Sequence, residues 1–391
     1  GEHKKEDFAQ ADIIIRNPAI KPDNEYLQYA RELGKEIYME MSLFHKLAPC
    51  KTIGITGTKG KSTTTTLAFE FIKRKNENAF LAGNIGVSAI KELPNLTTES
   101  LPIIELSSFQ LDDMGVNKLS PNIALLTNLY PEHLNWHRDF EDYINAKLNI
   151  FRNQSEQDYA IYNLDDENIQ SSLPQLQAAV ITYSLSNQQA TYYIQSDIVY
   201  EKGDELVSLK NIKLRGKHNL YNILGAIALA RTQDVAPEDI EAVLSTFTGI
   251  PNRQEFIREL DGARYINDTS ATTVEALIAA LETLGEGKNV VLIAGGVDKG
   301  ADYSKVRGLV QEHVKGVVLF EGDGSERFRA QLPSDIPISA EISDMKSAVD
   351  SARQMADKGD IVLLSPAAAS FNLFINEWDR GEQFKDIVME L

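Results

Sequence analysis

Residues 51–75 read KTIGITGTKGKSTTTTLAFEFIKRK, and this stretch decides the fold of the chain. An apolar strand (KTIGIT) runs into a glycine-containing loop, and a helix (STTTTLAFEFIKRK) follows at once. Glycines allow successive backbone N–H groups to face one anion, and the start of a helix adds partial positive charge. The loop therefore predicts a nucleotide phosphate site made of Gly57, Thr58, Lys59, Gly60, Lys61 and Ser62. Within it, Lys61 would reach the β- and γ-phosphates, and the Ser62 hydroxyl would bind magnesium.

The loop departs at one position from the strict phosphate-loop pattern G-x4-G-K-[ST], which requires glycine where Ile55 stands. The alternative interpretation is a solvated turn that happens to contain Gly-Lys-Ser. The strand before the loop and the helix after it favour the phosphate site. The pattern indicates a nucleotide and leaves the reaction open.

The whole chain divides into three zones that differ in pattern. Residues 1–46 contain a strand, a turn, a helix and a short strand (EIYMEM), too few elements for a stable sheet of their own. In residues 47–249, continuous apolar strands alternate with helices, which predicts a parallel sheet covered on both faces, and residues 190–217 alternate as hairpins do. Gly249 and Pro251 break the pattern, and residues 250–391 then predict a second doubly wound sheet. The sequence thus predicts an α/β protein of three domains.

Composition excludes several classes of function. The net charge of −18 argues against a nucleic-acid partner, because phosphate backbones select basic surfaces. Cys50 is the only cysteine, so no intrachain disulfide forms, which suits a reducing cytoplasm. No apolar run approaches the roughly 20 residues of a membrane span, so we expect no membrane insertion. The chain opens on glycine in a polar stretch (GEHKKEDF), and we expect that further residues precede it.

Two candidate metal ligands follow neighbouring strands. Glu105 ends the apolar strand PIIEL, and His133 follows the strand NIALLTNL. The carboxyl ends of parallel strands form the ligand-binding edge of such a sheet, and a carboxylate oxygen suits a hard cation. An ordinary surface carboxylate and a hydrogen-bonded structural histidine are the alternatives for these two residues.

Lys147 lies within the apolar stripe of a predicted helix that begins near Asp139. At 100° per residue, its neighbours in the stripe include Tyr143, Ile144 and Leu148. Burial would lower the pKa of the lysine and favour the neutral amine, which can add carbon dioxide to form a carbamate that binds magnesium. The alternative is a snorkelling lysine whose ammonium reaches water, and the pattern alone favours that alternative.

Further polar residues in the later zones suggest a second set of nucleotide contacts. Asn219 and Asn222 stand at i and i+3 of one helix, suitably spaced to hydrogen-bond a purine edge, although Asn219 could instead cap that helix. Arg253 in the interdomain linker could clamp phosphates, and Asp268 ends the strand ARYIND, where a carboxylate can accept ribose hydroxyls.

Two turns of the third zone carry candidate carboxylate-binding residues. Lys299 follows the glycines of AGGVDKG, and Ser370 lies in the turn after VLLS, although either could be a plain turn residue. Together with the nucleotide contacts, they suggest ATP held between two domains, with chemistry only on closure.

These motifs in combination resemble the Mur ligase family, from about residue 8 to the C-terminus. The similarity rests on T-G-T-K-G-K-S at 56–62, G-N-I-G at 83–86, E-L-S-S-F-Q-L at 105–111, the pair His133 and Lys147, H-N-L-Y-N at 218–222, N-R at 252–253, N-D-T-S-A-T at 267–272, L-S-P-A-A-A-S-F at 364–371 and R-G-E-Q-F at 380–384.

The resemblance implies an ATP-dependent, amide-forming enzyme of three domains. These would be a partial N-terminal Rossmann-like domain for a UDP-linked muramoyl substrate (1–46), a central phosphate-loop domain for ATP (47–249) and a C-terminal Rossmann-like domain for an amino acid (250–391). The branch most similar in E-L-S-S-F-Q-L and R-G-E-Q-F joins D-glutamate to UDP-N-acetylmuramoyl-L-alanine through an acyl phosphate, for peptidoglycan synthesis. A monomeric cytoplasmic protein that uses ATP and Mg²⁺ is implied.

The resemblance also implies roles for particular residues. Catalytic roles fall to Lys61, Glu105, His133 and Lys147, and the metal ligands would be Ser62, Glu105, His133 and carbamylated Lys147. The nucleotide would contact Asn219, Asn222, Arg253 and Asp268 besides the phosphate loop. The substrates would contact Asn84, Ser107, Thr272, Lys299 and Ser370.

Several positions depart from the family pattern, and two rival functions stay open. The first strand and glycine turn of the uridine-binding domain are not in this sequence, and Asn17 stands where serine is usual. Ser270 replaces a lysine found in many relatives, and Glu377 an aromatic residue. The rivals are a related Mur or folylpolyglutamate-type ligase with another acceptor, and a non-catalytic nucleotide-binding regulator.

Overall fold

The structure, a computed structural model, describes residues 3–18, 20–83, 85, 88–132, 136–214, 216–298 and 300–391. The chain divides into two compact units, residues 1–247 and residues 248–391. Across the described ranges, every helix is too short or too polar to cross a membrane.

Unit 1 begins with a small parallel α/β region. Its elements are α1 (Lys5–Gln10), β1 (Ile13–Ile15), α2 (Glu25–Glu32), β2 (Glu36–Tyr38) and α3 (Glu40–Leu47). β1 and β2 pair in parallel, with Ile14 opposite Ile37. The strand predicted over EIYMEM ends at Tyr38, so its second half was wrong. The chain turns into α3 there because the Met39 N–H donates to Ser42 Oγ at 3.0 Å and to Asp113 Oδ2 at 2.8 Å.

The rest of unit 1 is built on one nine-stranded sheet. Its elements are β3 (Ile53–Thr56), α4 (Lys61–Ile72), β4 (Ala79–Gly83), α5 (Ala89–Glu92), a 3₁₀ turn (Leu93–Asn95), β5 (Leu101–Glu105), α6 (Ser108–Val116), β6 (Ile123–Leu126), α7 (Phe140–Arg152), β7 (Tyr159–Asn163), α8 (Glu167–Ser172), β8 (Ala179–Ser184), β9 (Tyr192–Gln195), β10 (Ile198–Glu201), β11 (Asp204–Ser208), α9 (Lys217–Arg231) and α10 (Pro237–Leu244).

The strand order in this sheet is β11-β10-β9-β8-β7-β6-β3-β5-β4. The strands β3 to β9 are parallel to one another. Strands β9, β10 and β11 form the antiparallel hairpins that the alternating sequence predicts. One face packs on α4 and α9, and the other on α6 and α7, so the central strands are buried on both sides. β3 lies between β5 and β6, and the loops that follow these three strands therefore meet at one edge.

Unit 2 is a five-stranded sheet with helices on both faces. Its elements are β12 (Glu255–Leu260), β13 (Ala263–Asn267), α11 (Val274–Leu284), β14 (Val290–Ala294), a 3₁₀ turn (Tyr303–Val306), α12 (Arg307–His313), β15 (Val314–Leu319), α13 (Asp323–Arg329), α14 (Met345–Met355), β16 (Ile361–Leu364) and α15 (Glu377–Glu390). The order is β12-β13-β16-β14-β15, parallel except for the edge strand β12. The two faces carry separate apolar clusters, and the α/β class predicted from sequence is confirmed.

Candidate active site

The loop after β3 is held between the ends of β5 and β6. Thr56 Oγ1 donates to the Leu106 carbonyl at 2.7 Å, and Thr127 Oγ1 donates to the Lys59 carbonyl at 2.8 Å. The Lys59 N–H donates to Asn128 Oδ1 at 2.8 Å. These bonds fix the loop against both neighbouring strands.

Two glycines of the loop have conformations and surroundings that exclude a side chain. Gly57 has φ +147° and Gly60 has φ +82°. A Cβ at Gly57 would lie 1.8 Å from Thr127 Oγ1, and one at Gly60 would lie 2.1 Å from Asn222 Oδ1. α4 begins at Lys61 directly after Gly60, without a side-chain cap. The loop therefore has the tight curvature and the helix start that favour an anion.

The lysines of the loop differ in their surroundings. Lys61 Nζ donates to the carbonyls of Gly57 at 3.0 Å and Thr58 at 2.9 Å, so it folds back over the loop. Lys59 is exposed, and its Nζ lies 3.4 Å from Glu132 Oε1. Ser62 is buried in the first turn of α4. The Lys61 ammonium thus lies next to the space inside the curved loop, where a phosphate would bind.

Lys147 is buried, and the snorkelling interpretation is wrong. Its side chain is 2% exposed, and Nζ donates to the Gly57 carbonyl at 2.8 Å and to Thr56 Oγ1 at 3.3 Å. Nζ also lies 4.9 Å from the centroid of the Tyr143 ring. Burial, and then the nearby Lys61 ammonium, lower the pKa of Lys147 well below its ordinary value. The helix directs this lysine to the phosphate loop because α7 packs its apolar stripe against the sheet.

Glu105 is buried at the same edge, which excludes a surface carboxylate. Its side chain is 5% exposed, and Oε2 has no hydrogen-bond partner among the described residues. In the sheet, it lies opposite Ile55 on one side and Gly83 on the other. Its negative charge acts to raise the pKa of Lys147, against the larger effect of burial. Phosphate loop, Glu105 and Lys147 therefore come together, as predicted.

The buried carboxylate of Glu105 is chemically compatible with a cation. A carboxylate oxygen that is buried without a donor is costly until a donor or a cation reaches it. No three His, Cys, Asp or Glu side chains converge within the described ranges, and His133 lies outside them. Asn84, which follows Gly83 directly, also lies outside the described residues.

Asn219 and Asn222 lie beside the phosphate loop. Asn222 Nδ2 donates to Asn219 Oδ1 at 3.0 Å, and Thr64 Oγ1 of α4 donates to Asn222 Oδ1 at 3.3 Å. The cap of α9 is Gly216, so the interpretation of Asn219 as the capping residue is wrong. The packing of α9 on α4 brings this asparagine pair to Gly60.

Ser107, which was predicted to contact a substrate, has a structural role. It caps α6: Ser107 Oγ accepts from the Gln110 N–H at 3.3 Å, and its own N–H donates to Gln110 Oε1 at 2.9 Å. This cap fixes the path of the chain two residues after Glu105.

In unit 2, Asp268 is buried at the carboxyl end of β13. Its carboxylate accepts from Ser365 Oγ at 2.9 Å and from the Gln254 N–H at 3.1 Å. Burial raises the pKa of Asp268 to about 7, although these two bonds and the charge of Arg253 act in the opposite direction. Arg253 itself is exposed.

The turn after β16, residues 366–370, connects the loops that carry the other candidates of unit 2. The Ala367 N–H donates to the Ala271 carbonyl at 2.8 Å, next to half-buried Thr272. Ala369 and Val297 exchange two backbone bonds of 3.0 Å, two residues before Lys299, which lies outside the described residues. Ser370 is 2% exposed, and its Oγ has no hydrogen-bond partner in the described part of the chain.

Sequence reasoning missed Arg380 in this region. Its side chain is fully buried, and its Nε donates to Thr269 Oγ1 at 2.9 Å. A clue was present, because Arg380, Phe384 and Val388 stand at i, i+4 and i+8 on the buried face of α15.

Comparison with known proteins gives one consistent family. Residues 55–230 match the Mur ligase middle domain, and residues 252–368 match the glutamate ligase domain of the Mur ligases. The UDP-N-acetylmuramoylalanine–D-glutamate ligase of Roseiflexus sp. (strain RS-1) is 40% identical over 99% of this chain and 86% of its own length. The ligase of the same name from Oceanobacillus iheyensis is 37% identical over 98% of this chain and 85% of its own length.

Solved structures share the fold at low sequence identity. The MurF ligase from Thermotoga maritima, in complex with ADP, superposes with a TM-score of 0.61 at 16% identity, covering 98% of this chain and 99% of that one. The UDP-N-acetylmuramate-alanine ligase MurC from the same organism gives 0.59 at 20% identity, covering 100% and 88%. The predicted Mur ligase architecture is thereby confirmed at the level of the fold.

Proposed function

The chain belongs to the Mur ligase family, and from this premise we propose that it joins D-glutamate to UDP-N-acetylmuramoyl-L-alanine in peptidoglycan precursor synthesis. It is an ATP-dependent, ADP-forming amide ligase. The observation that carries the choice of substrates is the 34–40% identity, over 97–100% of the chain, to relatives named as D-glutamate ligases.

For the phosphate loop, we assign residues 57–62 to the ATP phosphates. The support is the curvature at Gly57 and Gly60, the start of α4 and the position of Lys61 over the loop. On binding, Lys61 Nζ would exchange its carbonyl partners for phosphate oxygens. There its positive charge would stabilise the negative charge that develops during phosphoryl transfer. Asn219 and Asn222 are assigned to the nucleotide because they lie beside this loop.

For the metal site, we assign Ser62, Glu105, His133 and Lys147 to Mg²⁺. Magnesium, when bound, would neutralise charge on the phosphates and orient them. Glu105 Oε2 supports this assignment as a buried acceptor without a partner. Lys147 can serve as an anionic ligand because its neutral amine can add carbon dioxide, losing one proton to give a carbamate. Its burial and lowered pKa favour that neutral amine.

In unit 2, we assign Arg253 and Asp268 to contacts with the nucleotide. We assign Thr272, Lys299 and Ser370 to contacts with D-glutamate, supported by the backbone bonds that tie the loops of Thr272 and Ser370 together. Asn84 and Ser107 are assigned to the muramoyl substrate. Residues 1–46, 47–249 and 250–391 would then bind the UDP-linked substrate, ATP and the amino acid, respectively.

The reaction that these assignments support has two steps. The alanine carboxylate of the muramoyl substrate attacks the γ-phosphorus of ATP, which releases ADP and leaves an acyl phosphate. The neutral amine of D-glutamate then attacks the acyl carbon, and phosphate leaves with the bonding electrons while the amine loses a proton, giving the amide. Lys61 and the N–H groups of the loop would stabilise the charge in both steps.

We also propose that the protein is monomeric and cytoplasmic. Cys50 as the sole cysteine suits a reducing compartment such as the cytoplasm. Sedimentation of the purified chain tests the monomer, since a dimer would double the mass.

An acceptor screen tests the substrate assignment. Purified protein is given ATP, Mg²⁺, UDP-N-acetylmuramoyl-L-alanine and one amino acid at a time, and phosphate release is recorded. We expect strong release with D-glutamate alone. A preference for L-glutamate, L-alanine or a diamino acid would identify a related ligase instead, and nucleotide binding without amide formation would identify a regulator.

A further inference from the structure

Arg380, in the first turns of α15, is the largest fully buried side chain of the described residues. Its guanidinium is 0% exposed, and burial lowers its pKa to about 10. A buried guanidinium is normally paired with a carboxylate, because removing an unpaired charge from water is energetically costly.

The hydrogen-bond partners of Arg380 are neutral. Nε donates to Thr269 Oγ1 at 2.9 Å, and the two terminal nitrogens donate to the Thr269 carbonyl at 3.0 Å and to the Ala368 carbonyl at 3.4 Å. Glu377 acts on Arg380 electrostatically and raises its pKa, but its carboxylate is not a hydrogen-bond partner within the described residues. The positive charge is therefore solvated by oxygens and left uncompensated by contact.

These bonds join two loops that carry candidate acceptor contacts. Thr269 lies three residues before Thr272, and Ala368 lies two residues before Ser370. The turn 366–370 thus contacts the buried charge of Arg380 through the Ala368 carbonyl and carries, at Ser370, a buried hydroxyl without a partner among the described residues. A carboxylate beside Ser370 would accept a hydrogen bond from that hydroxyl and compensate the charge of Arg380.

We infer that Arg380 is a positioning residue that makes this site select a dicarboxylate acceptor. It holds the 366–370 turn against the 268–272 loop and supplies the positive potential at which the second carboxylate of the acceptor binds, beside Ser370. Arg380 does not touch the substrate, because it is fully enclosed; it acts through Ala368 and Thr269. The inference rests on the acceptor site of the proposed function.

Steady-state kinetics of the full chain test this role. The variants are Arg380→Lys, which keeps the charge but loses the planar fork, and Arg380→Met, which loses both. Arg258→Met is the matched control, because Arg258 donates to carbonyls at the other end of α15, those of Val388 at 3.2 Å and Met389 at 3.1 Å. KM is measured separately for D-glutamate, ATP and the muramoyl substrate, with thermal unfolding of each variant.

We expect Arg380→Met to raise the KM for D-glutamate about tenfold or more, because the variant loses both the positive potential and the bonds that hold the turn 366–370 in place. Arg380→Lys should raise it less, and the KM for ATP should stay within about twofold in both variants. The control should leave all three values unchanged. An unchanged KM for D-glutamate, or an equal rise of all three KM values, would overturn the inference.

Two further outcomes separate this inference from the proposed function. If Arg380→Met does not fold, Arg380→Lys decides, and a KM for D-glutamate equal to that of the wild type then counts against the role. If the wild type prefers another acidic amino acid, the assignment of D-glutamate fails and Arg380 is measured on that acceptor. If the wild type releases phosphate with none of the acidic amino acids, both the role of Arg380 and the proposed function are contradicted.

Discussion

At the scale of single residues, Lys147 carries the most specific chemistry. Its amine is enclosed between Thr56, Gly57 and the ring of Tyr143, so it cannot serve as an ordinary surface cation. Truncation in Lys147→Ala would remove the proposed anionic metal ligand next to the phosphate loop. We expect phosphate release to fall by about a hundredfold or more, the size typical for loss of one electrostatic group at a reacting centre.

The control for that variant is Lys73→Ala. Lys73 lies on the surface just after α4 and pairs with Glu70 at 2.6 Å, so its loss should leave turnover unchanged. Added formate or acetate should restore part of the activity of Lys147→Ala, because a small carboxylate can fill the vacated space. Full activity of Lys147→Ala without any addition would contradict the carbamate assignment.

The raised pKa of Asp268 leads us to expect that the stability of the chain depends on pH. Its pKa is raised from 3.8 to about 7 in the folded chain, so between these values the folded state holds a proton that the unfolded state has lost. The free energy of unfolding therefore falls as pH rises from about 4 to about 7. Asp268→Asn removes this effect, and its stability relative to wild type should rise by about 2 to 3 kcal/mol between pH 5 and pH 8.

Urea unfolding of both proteins at several pH values measures this difference. Stability curves that run parallel from pH 5 to pH 8 would mean that Asp268 is already ionised well below pH 7.

At the scale of elements, the phosphate loop depends on glycine at one junction in particular. Gly60→Ala would add a Cβ 2.1 Å from Asn222 Oδ1 at φ +82°, so the loop or the Asn222 side chain must move. We expect ATP binding to weaken by about tenfold or more, as measured by calorimetric titration. ATP binding weakens because the phosphate loop or the pair Asn219 and Asn222 is displaced.

Gly203→Ala is the matched control. Gly203 has φ +97° in the turn between β10 and β11, and a Cβ there would meet nothing within 4 Å. It should cost about 1 kcal/mol of stability through backbone strain alone and leave ATP binding unchanged. Equal effects of the two substitutions on ATP binding would show that crowding against Asn222 is unimportant.

The elements that sequence reasoning found are those with long, strongly patterned stretches. β3, α4 and α7 were predicted because continuous apolar runs and a 3.6-residue stripe specify them locally. α3 was missed because its start depends on Asp113, 74 residues away, which binds the Met39 N–H. β12 was not assigned, and neither were α13 to α15, although Met345, Ala348, Val349 and Ala352 form a buried stripe on α14.

At the scale of the whole molecule, one buried network fixes the N-terminal region of unit 1 to the central sheet. Asp113 of α6 accepts from Arg16 Nε at 3.2 Å, from the Met39 N–H at 2.8 Å and from the Ser42 hydroxyl. Arg16 and Asp113 are 6% and 4% exposed. Asp113→Asn leaves a buried guanidinium without its charge partner, and we expect it to lower the free energy of unfolding by about 3 to 5 kcal/mol.

Urea unfolding measures this loss, with Glu36→Gln as the control. Glu36 pairs with Lys46 on the surface of the same region, with side chains 55% and 41% exposed, so this pair should contribute little. A loss in Asp113→Asn no larger than that in Glu36→Gln would mean that the network does not anchor the region.

The candidate site was predictable to the extent that sheet topology determines it. Parallel strands place their carboxyl ends together, so Glu105, the phosphate loop and the turn before α7 had to meet once β5, β3 and β6 were neighbours. The burial of Lys147 depends on how α7 packs, and the pairing of Arg380 with Thr269 and Ala368 spans 111 and 12 residues. The i, i+4, i+8 pattern of α15 indicates that Arg380 is buried but not which residues it pairs with, because contacts between distant residues leave no local pattern.

The most direct test of the whole account follows the oxygen atoms of the substrate. UDP-N-acetylmuramoyl-L-alanine, labelled with oxygen-18 in its terminal carboxylate, is incubated with the protein, ATP, Mg²⁺ and D-glutamate, and the released phosphate is examined by mass spectrometry. If the carboxylate is activated as an acyl phosphate and then joined to the amine, each phosphate carries one labelled oxygen and each amide product retains the other. Unlabelled phosphate would mean that water, and not the substrate, receives the phosphoryl group, and would contradict a ligase.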